Sequence, residues 1–309
     1  MPLTLTPKNK TLPRFIIPYI FLTPFFLLFG MFMVYPVVLA VLTSFQDADL
    51  GTSRGWIGFA NFEALTTDPL FHAALANTAF FVVLSLLVIF PVGLLLALLL
   101  RPLWVKGGPV FRVLLVAPAV IVPVVTVIIF QIILGQEGLL NAGIRAVFAD
   151  YESIAWLSDP VWSRWGVGLM FVWRWTGFTM IYFVAGLSAV SSELEDASTI
   201  DGANRWQQFW SVTWPQLHAI RVLVLVLILQ GSAQIFDEPN TVAGGDGPGP
   251  ERTLITLTMY VYSKAFKESD TGQANAAAVV LLLAVVASIL IALFINPDRT
   301  KPSPFRRMR

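Results

Sequence analysis

Of the 309 residues, 56% are hydrophobic and only 13% charged, with a mean hydropathy of +0.74; a soluble domain carries about 25% charged residues, so the composition excludes one and implies a chain that crosses a membrane several times. The 20 Lys and Arg nearly balance the 19 Asp and Glu, so charge informs by position rather than by sum. With no cysteine and two histidines, disulfides, thiolate metal sites and His-rich metal sites are excluded, and neither a metal nor a cofactor is expected.

Residues 1–14 read as a basic arm, 15–296 as one transmembrane domain and 297–309 as a basic tail. A bilayer core takes about 20 mostly apolar residues per helix. Six stretches meet that need: 16–45, 73–100, 113–134, 164–187, 219–236 and 274–296. The first is far longer than the roughly 7–15 apolar residues of a signal peptide and reads as a retained span. Pro24, Pro36, Pro91, Pro118 and Pro123 fall inside spans, where neighbouring helices re-satisfy the carbonyls that proline frees. The fifth span is short at one end and open to continuation past Phe236.

Basic residues set the orientation. Thirteen Lys and Arg lie on the side that holds both termini, among them Lys8, Lys10, Arg14, Arg101, Lys106, Arg112, Arg205, Arg221 and the tail; six lie on the other. The positive-inside rule then predicts cytoplasmic termini. The opposite loops hold Trp56, Phe59, Phe62, Trp156 and Trp162, which suit an interfacial aromatic belt.

Residues 191–217 interrupt the apolar pattern. Ser192 and Glu195 have capping-box spacing, and Glu193, Glu195 and Asp196 suit the positive end of a helix beginning there. Asp201-Gly202 reads as a stop, since glycine adopts positive φ without strain. Asn204, with Gln207 three residues on, caps a second helix whose apolar side is Trp206, Phe209 and Trp210; Pro215 marks entry to the fifth span. The expectation is helix, glycine turn, helix at the cytoplasmic face. Ala197, Gly202 and Ala203 keep it slim enough to enter a groove on another protein. The alternative is an amphipathic loop lying on lipid headgroups. Such loops are usually rich in Lys and Arg, whereas this one is acidic with Arg205 as its one Lys or Arg.

Glu195, Asp196, Ala197, Asp201, Gly202 and Ala203, followed by Phe209 and Pro215, resemble the EAA loop of permease subunits of binding-protein-dependent ABC importers. Asp196 departs from the pattern by standing in place of an alanine, which adds a charge. Trp173-Arg174-Trp175-Thr176-Gly177-Phe178, with Ala185-Gly186-Leu187, resembles a span of the carbohydrate-uptake, maltose-permease-like branch. Gly244-Gly245, Pro248, Thr253, Tyr262 and Ala265-Phe266 resemble a loop of the same branch. The likeness covers about residues 20–296. It implies an all-α type I permease fold with about six membrane helices, with Glu195 to Gly202 as the contact to a cytoplasmic ABC ATPase dimer. It further implies a second permease subunit in a heterodimer, an extracytoplasmic solute-binding protein, a carbohydrate substrate (sugar, oligosaccharide or polyol) and residence in a bacterial or archaeal cytoplasmic membrane. Transport would be by alternating access.

The glycine-rich run from Gly244 to Pro250 lacks the Gly-Lys-Ser/Thr ending of a phosphate loop, so ATP hydrolysis is expected of a separate subunit. No catalytic residues, no metal site and no nucleic-acid partner are expected. Arg174 is the one formal charge near the middle of a predicted span. On insertion scales it costs about 2.5–3.5 kcal/mol there, so it should face a cavity or a partner. Two roles stay open. It is a donor to sugar hydroxyls or an anionic substrate group, flanked by the faces of Trp173 and Trp175; or it is structural, bound to carbonyls or to a carboxylate of a companion permease. Gln131, Gln230, Gln234 and Asn77 either line the pathway or hydrogen-bond between helices; Gln230 and Gln234, four apart, share one helix face. An ion-coupled secondary transporter would call for acids within the spans, and none is read there. A membrane-bound enzyme or assembly factor would call for reactive side chains clustered at one depth.

Overall fold

A computed structural model describes residues 17–49, 52–101, 108–148, 150–245 and 247–295. The basic arm, Lys106, Asp246 and the tail from 297 lie outside the described residues. In chain order the elements are α1 (Ile17–Phe29), α2 (Tyr35–Thr43), a β1–β2 hairpin (Gln46–Asp49, Thr52–Trp56), α3 (Ala60–Thr67), α4 (Pro69–Leu84), α5 (Phe90–Leu99), α6 (Gly108–Val120), α7 (Pro123–Leu134), α8 (Leu139–Val147) and α9 (Ser163–Ser188). There follow α10 (Ser192–Ile200), α11 (Arg205–Gln208), α12 (Trp214–Gln216), α13 (His218–Ala233), α14 (Asp237–Val242), α15 (Leu257–Tyr262) and α16 (Thr271–Ile295). Among the described residues, six stretches are long and apolar enough to span a bilayer. The described residues add an antiparallel hairpin to the all-α expectation, with Gln46 opposite Trp56 and Asp49 opposite Thr52.

Three of the prolines leave a specific trace in the helices. The wide turns at Gly30–Val34, Ser85–Ile89 and Phe209–Thr213 each end two residues before a proline, namely Pro36, Pro91 and Pro215. A proline ring clashes with the carbonyl four residues back. One residue inserted into the turn moves that carbonyl aside. The N–H groups of Tyr35, Phe90 and Trp214 accordingly reach back five residues, to Gly30, Ser85 and Phe209.

The third span differs from its reading. Instead of one helix over 113–134, α6 and α7 are separated by Ile121 and an extended Val122 (φ −61°, ψ 137°). A residue before proline is driven out of the helical region, and here Pro123 opens α7. The stretch long enough to cross runs Pro123–Val147. The fifth span does continue: α13 breaks after Ala233 and resumes as α14, so its apolar run extends to Val242.

α9 is the axis of the bundle. Val167, Met170, Met180 and Phe183 on it are wholly buried. Glycines allow its neighbours to come close: a Cβ on Gly177 would sit 1.8 Å from the Leu115 carbonyl oxygen of α6, and one on Gly93 of α5 would sit 2.6 Å from Thr179 Cγ2. Small residues at such crossings let van der Waals packing do the work that water exclusion cannot do inside lipid. A second core joins α3, α4, α15 and α16 through Leu65, Phe71, Tyr260 and Ala276. α1 carries no buried side chain among those described, and Phe21 is 79% exposed.

Candidate coupling segment and central cavity

The polar segment after α9 folds as helix, glycine turn, helix. Gly202 takes φ +83°, and the Asn204–Gln207 capping box forms, each side chain bonding the other's backbone N–H at 2.9 Å. The box expected of Ser192 and Glu195 does not form. Ser191 is the cap residue and no side chain closes the end of α10. Glu195 goes elsewhere: Arg101, just past α5, donates to both its carboxylate oxygens at 2.7 and 2.9 Å, and Thr213 Oγ1 donates at 3.3 Å. A bidentate guanidinium is a stronger partner than a backbone N–H. The Glu195 carbonyl also accepts from Gln208 Nε2 at 2.8 Å. One residue thus ties α10 to the second span and to the start of the fifth.

This arrangement sorts the candidate contact residues. Glu195 and Ala203 are half-buried, whereas Asp196, Ala197, Asp201 and Gly202 are exposed, together with Glu193. Ile200, which the sequence reading passed over, projects from the same helix at 87% exposure. The outer face of the elbow is therefore acidic, with apolar points at Leu194 and Ile200.

A cavity of about 330 Å³ lies where α9 and α13 meet the wide turn at 85–89. Trp175, Phe178 and Tyr182 line it from α9, Gln230 from α13, Gln234 from the cap that ends α13, and Ser85 from the turn. The two glutamines share a face as read. Phe178 belongs to the Trp173–Phe178 motif and Tyr182 to no motif, yet Phe171, Trp175, Phe178 and Tyr182 recur at helical spacing, the signal that places them on one side of α9. Gln131 is exposed on α7 and Trp173 stands against Phe130, ring centroids 5.5 Å apart; neither lines the cavity.

Arg174 does not line it either. Its Nη1 donates to Glu238 Oε1 at 2.5 Å, with the side chains 15% and 4% exposed. The expected absence of acids from the spans needs correction here: Glu238 lies two residues beyond the fifth span as read, and within it as folded. The carboxylate also comes from the chain itself rather than from a companion. The ion pair clamps α14 to the centre of α9.

A family described as "binding-protein-dependent transport system inner membrane component" matches residues 89–298. The chain belongs to that family. Among its relatives, the arabinooligosaccharides transport system permease protein AraP of Bacillus subtilis is 33% identical over 276 residues, covering 89% of this chain and 87% of that protein. The lactose transport system permease protein LacF of Rhizobium radiobacter is 30% identical over 278 residues, with 88% and 91% covered. The fold is shared with a chain of the crystal structure of a bacterial ABC transporter involved in import of the acidic polysaccharide alginate: TM-score 0.79, 24% identity, 92% and 96% covered.

As a member of the binding-protein-dependent inner membrane components, the chain is a multi-pass transport subunit rather than an enzyme. Its end opposite the elbow is fixed by buried polar side chains. Asn77 Nδ2 donates to the carbonyls of Arg252 and Ile255, both at 2.9 Å, and its Oδ1 accepts from Arg164. This is the second of the two roles open to it. Asn141, wholly buried, donates to the carbonyls of Gly135, Gln136 and Ile154 and accepts from Tyr151 and Trp156. Nothing in its sequence neighbourhood marks it, because every partner but Tyr151 and Trp156 is backbone. Asp68 caps α4 and accepts from the Tyr260 hydroxyl at 2.7 Å. Burial works to raise its carboxyl, but the Tyr260 bond, the Leu70 N–H and Lys264 outweigh burial and hold it below its ordinary value. Burial and the same carboxylate push the Tyr260 hydroxyl well up.

Proposed function

We propose that this permease subunit serves an ATP-driven importer of a carbohydrate, an oligosaccharide or glycoside in size, in a bacterial or archaeal cytoplasmic membrane with both termini inside. The observation that carries the reading is the elbow at 191–217: an exposed acidic face on a short helix whose one inward carboxylate, Glu195, is locked to Arg101. A push on a helix held in this way is passed to the spans it is tied to, the mechanical requirement of a coupling element. A cytoplasmic ABC ATPase dimer would dock on Asp196, Ala197, Asp201 and Gly202, with Glu195 and Ala203 setting the shape behind them. A second permease subunit would complete the pathway as a heterodimer, and an extracytoplasmic solute-binding protein would deliver the substrate.

The carbohydrate class is supported by the arabinooligosaccharide and lactose systems to which AraP and LacF belong and by the cavity. Aromatic faces beside amide groups suit a sugar, whose C–H faces are apolar and whose rim is a ring of hydroxyls. Trp175, Gln230 and Gln234 would contact it, while Arg174 would hold α14 in place from behind.

The chain has no cysteine, so an introduced one is unique. Asp196→Cys in the intact assembly, treated with a short bifunctional thiol–amine crosslinker, is expected to capture a nucleotide-hydrolysing subunit. Consistent failure there, with the protein correctly inserted, would overturn the coupling role.

A further inference from the structure

A groove of about 810 Å³ lies behind the elbow, between α5 and the aromatic run that follows Asn204. One wall is Leu95, Leu98 and Leu99 of the second span; the other is Trp206 and Trp210. Leu95 and Leu99 are each more than half exposed, so the apolar floor runs on into the outward flank of that span. The lining carries two guanidiniums, Arg101 and Arg205, against one carboxylate, Glu195, for a net charge of +1. None of the exposed acids Glu193, Asp196 and Asp201 takes part in it.

We propose that this groove binds an anionic phospholipid, with an acyl chain along the leucines and the phosphate at the Arg205 rim. Three observations favour lipid over a protein partner. The apolar wall belongs to a membrane span and is continuous with its outward surface. Trp206, Trp210 and Trp214 stack edge-to-face in sequence, with centroids 5.6 and 5.4 Å apart, and indoles so placed prefer the headgroup level of a bilayer. The segment also divides its chemistry: acids on α10, aromatics with Arg205 after the glycine turn. The two readings of the sequence, partner-docking and headgroup-resting, thus fall to different halves of one segment. Because Glu195 lines the groove and fastens the elbow, a bound lipid would sit directly against the lever.

The test places a photo-crosslinking residue in the groove by Leu98→benzoylphenylalanine, in the full chain within its assembled complex, reconstituted in equimolar phosphatidylglycerol and phosphatidylcholine. Leu87→benzoylphenylalanine, at a position 71% exposed on the same span and outside the groove, reports bulk lipid. Mass spectrometry of the adducts is expected to show phosphatidylglycerol enriched about fivefold at position 98 over position 87, the equivalent of about 1 kcal/mol for one basic side chain near an anionic headgroup. Arg205→Gln is expected to abolish the enrichment and Arg205→Lys to keep it. Equal ratios at the two positions, enrichment indifferent to the charge at 205, or a protein adduct in place of lipid at position 98 would each overturn the proposal; the last would assign the groove to a partner chain.

Discussion

Glu195 shows how one side chain serves two elements. Its carboxylate is committed to Arg101 and Thr213 and its carbonyl to Gln208, so its effect on an outside partner is indirect. Removing one member of a largely buried pair leaves the other charge uncompensated, at a cost of about 3–5 kcal/mol. Glu195→Arg is therefore expected to lose substrate-driven uptake in vesicles, and the double exchange with Arg101→Glu to recover a substantial part of it. Recovery would separate the clamp from any direct contact, because a residue that touches the ATPase through its own charge is not rescued by a swap behind it. At the other end of the bundle, Asp68 supplies a pH signature. Its folded carboxyl lies below its unfolded value, so its stabilising contribution is complete above about pH 4 and disappears as pH falls through the lower, folded value. The difference in Tm between wild type and Asp68→Asn in detergent should be constant from neutral pH to about pH 5 and shrink in more acid solution.

Packing around α9 is decided by glycines. At Gly177 an added methyl would meet the backbone oxygen of Leu115, which cannot rotate away, so α6 must move as a unit. Overpacking of this kind costs about 1–3 kcal/mol. Gly177→Ala is expected to lower Tm by several degrees, while Gly143→Ala on α8, where a Cβ meets nothing within 4 Å, leaves Tm unchanged or slightly raised, both read by scanning fluorimetry. What could be read at this scale follows a pattern. Spans and the glycine turn were legible because hydropathy over about 20 residues and a positive φ are local properties. Asn204 with Gln207 was legible for the same reason. The split of the third span is half legible: Pro123 marks the place, and the extended Val122 before it follows only from the rule that a residue ahead of proline leaves the helical region. The Ser192–Glu195 box failed because a distant residue, Arg101, offered Glu195 more than its own helix end did.

The molecule as a whole places its aromatic and amide groups on opposite walls of one cavity, between an axis that is tightly packed and a fifth span that is broken. Trp175→Ala and Gln230→Leu are expected to reduce uptake at least about tenfold, as loss of contacts worth about 1.4 kcal/mol would, without changing how much subunit is recovered in the membrane; Gln131→Leu, outside the cavity, should leave uptake near wild type. Uptake assays paired with quantitative blots check both. Gln230 and Gln234 were legible as a pair through their spacing of four, whereas the Arg174–Glu238 bond was not, since 64 residues and a helix break separate its members.

That separation has a consequence for synthesis. Arg174 leaves the ribosome well before Glu238, and at roughly 5–20 residues per second the interval is about 3–13 s. During it the fourth span holds a guanidinium for which the nascent chain has not yet made the counter-charge. A chain truncated between the two is therefore expected to present this span to the bilayer with its guanidinium unanswered, and to integrate it less completely than a chain that extends past Glu238.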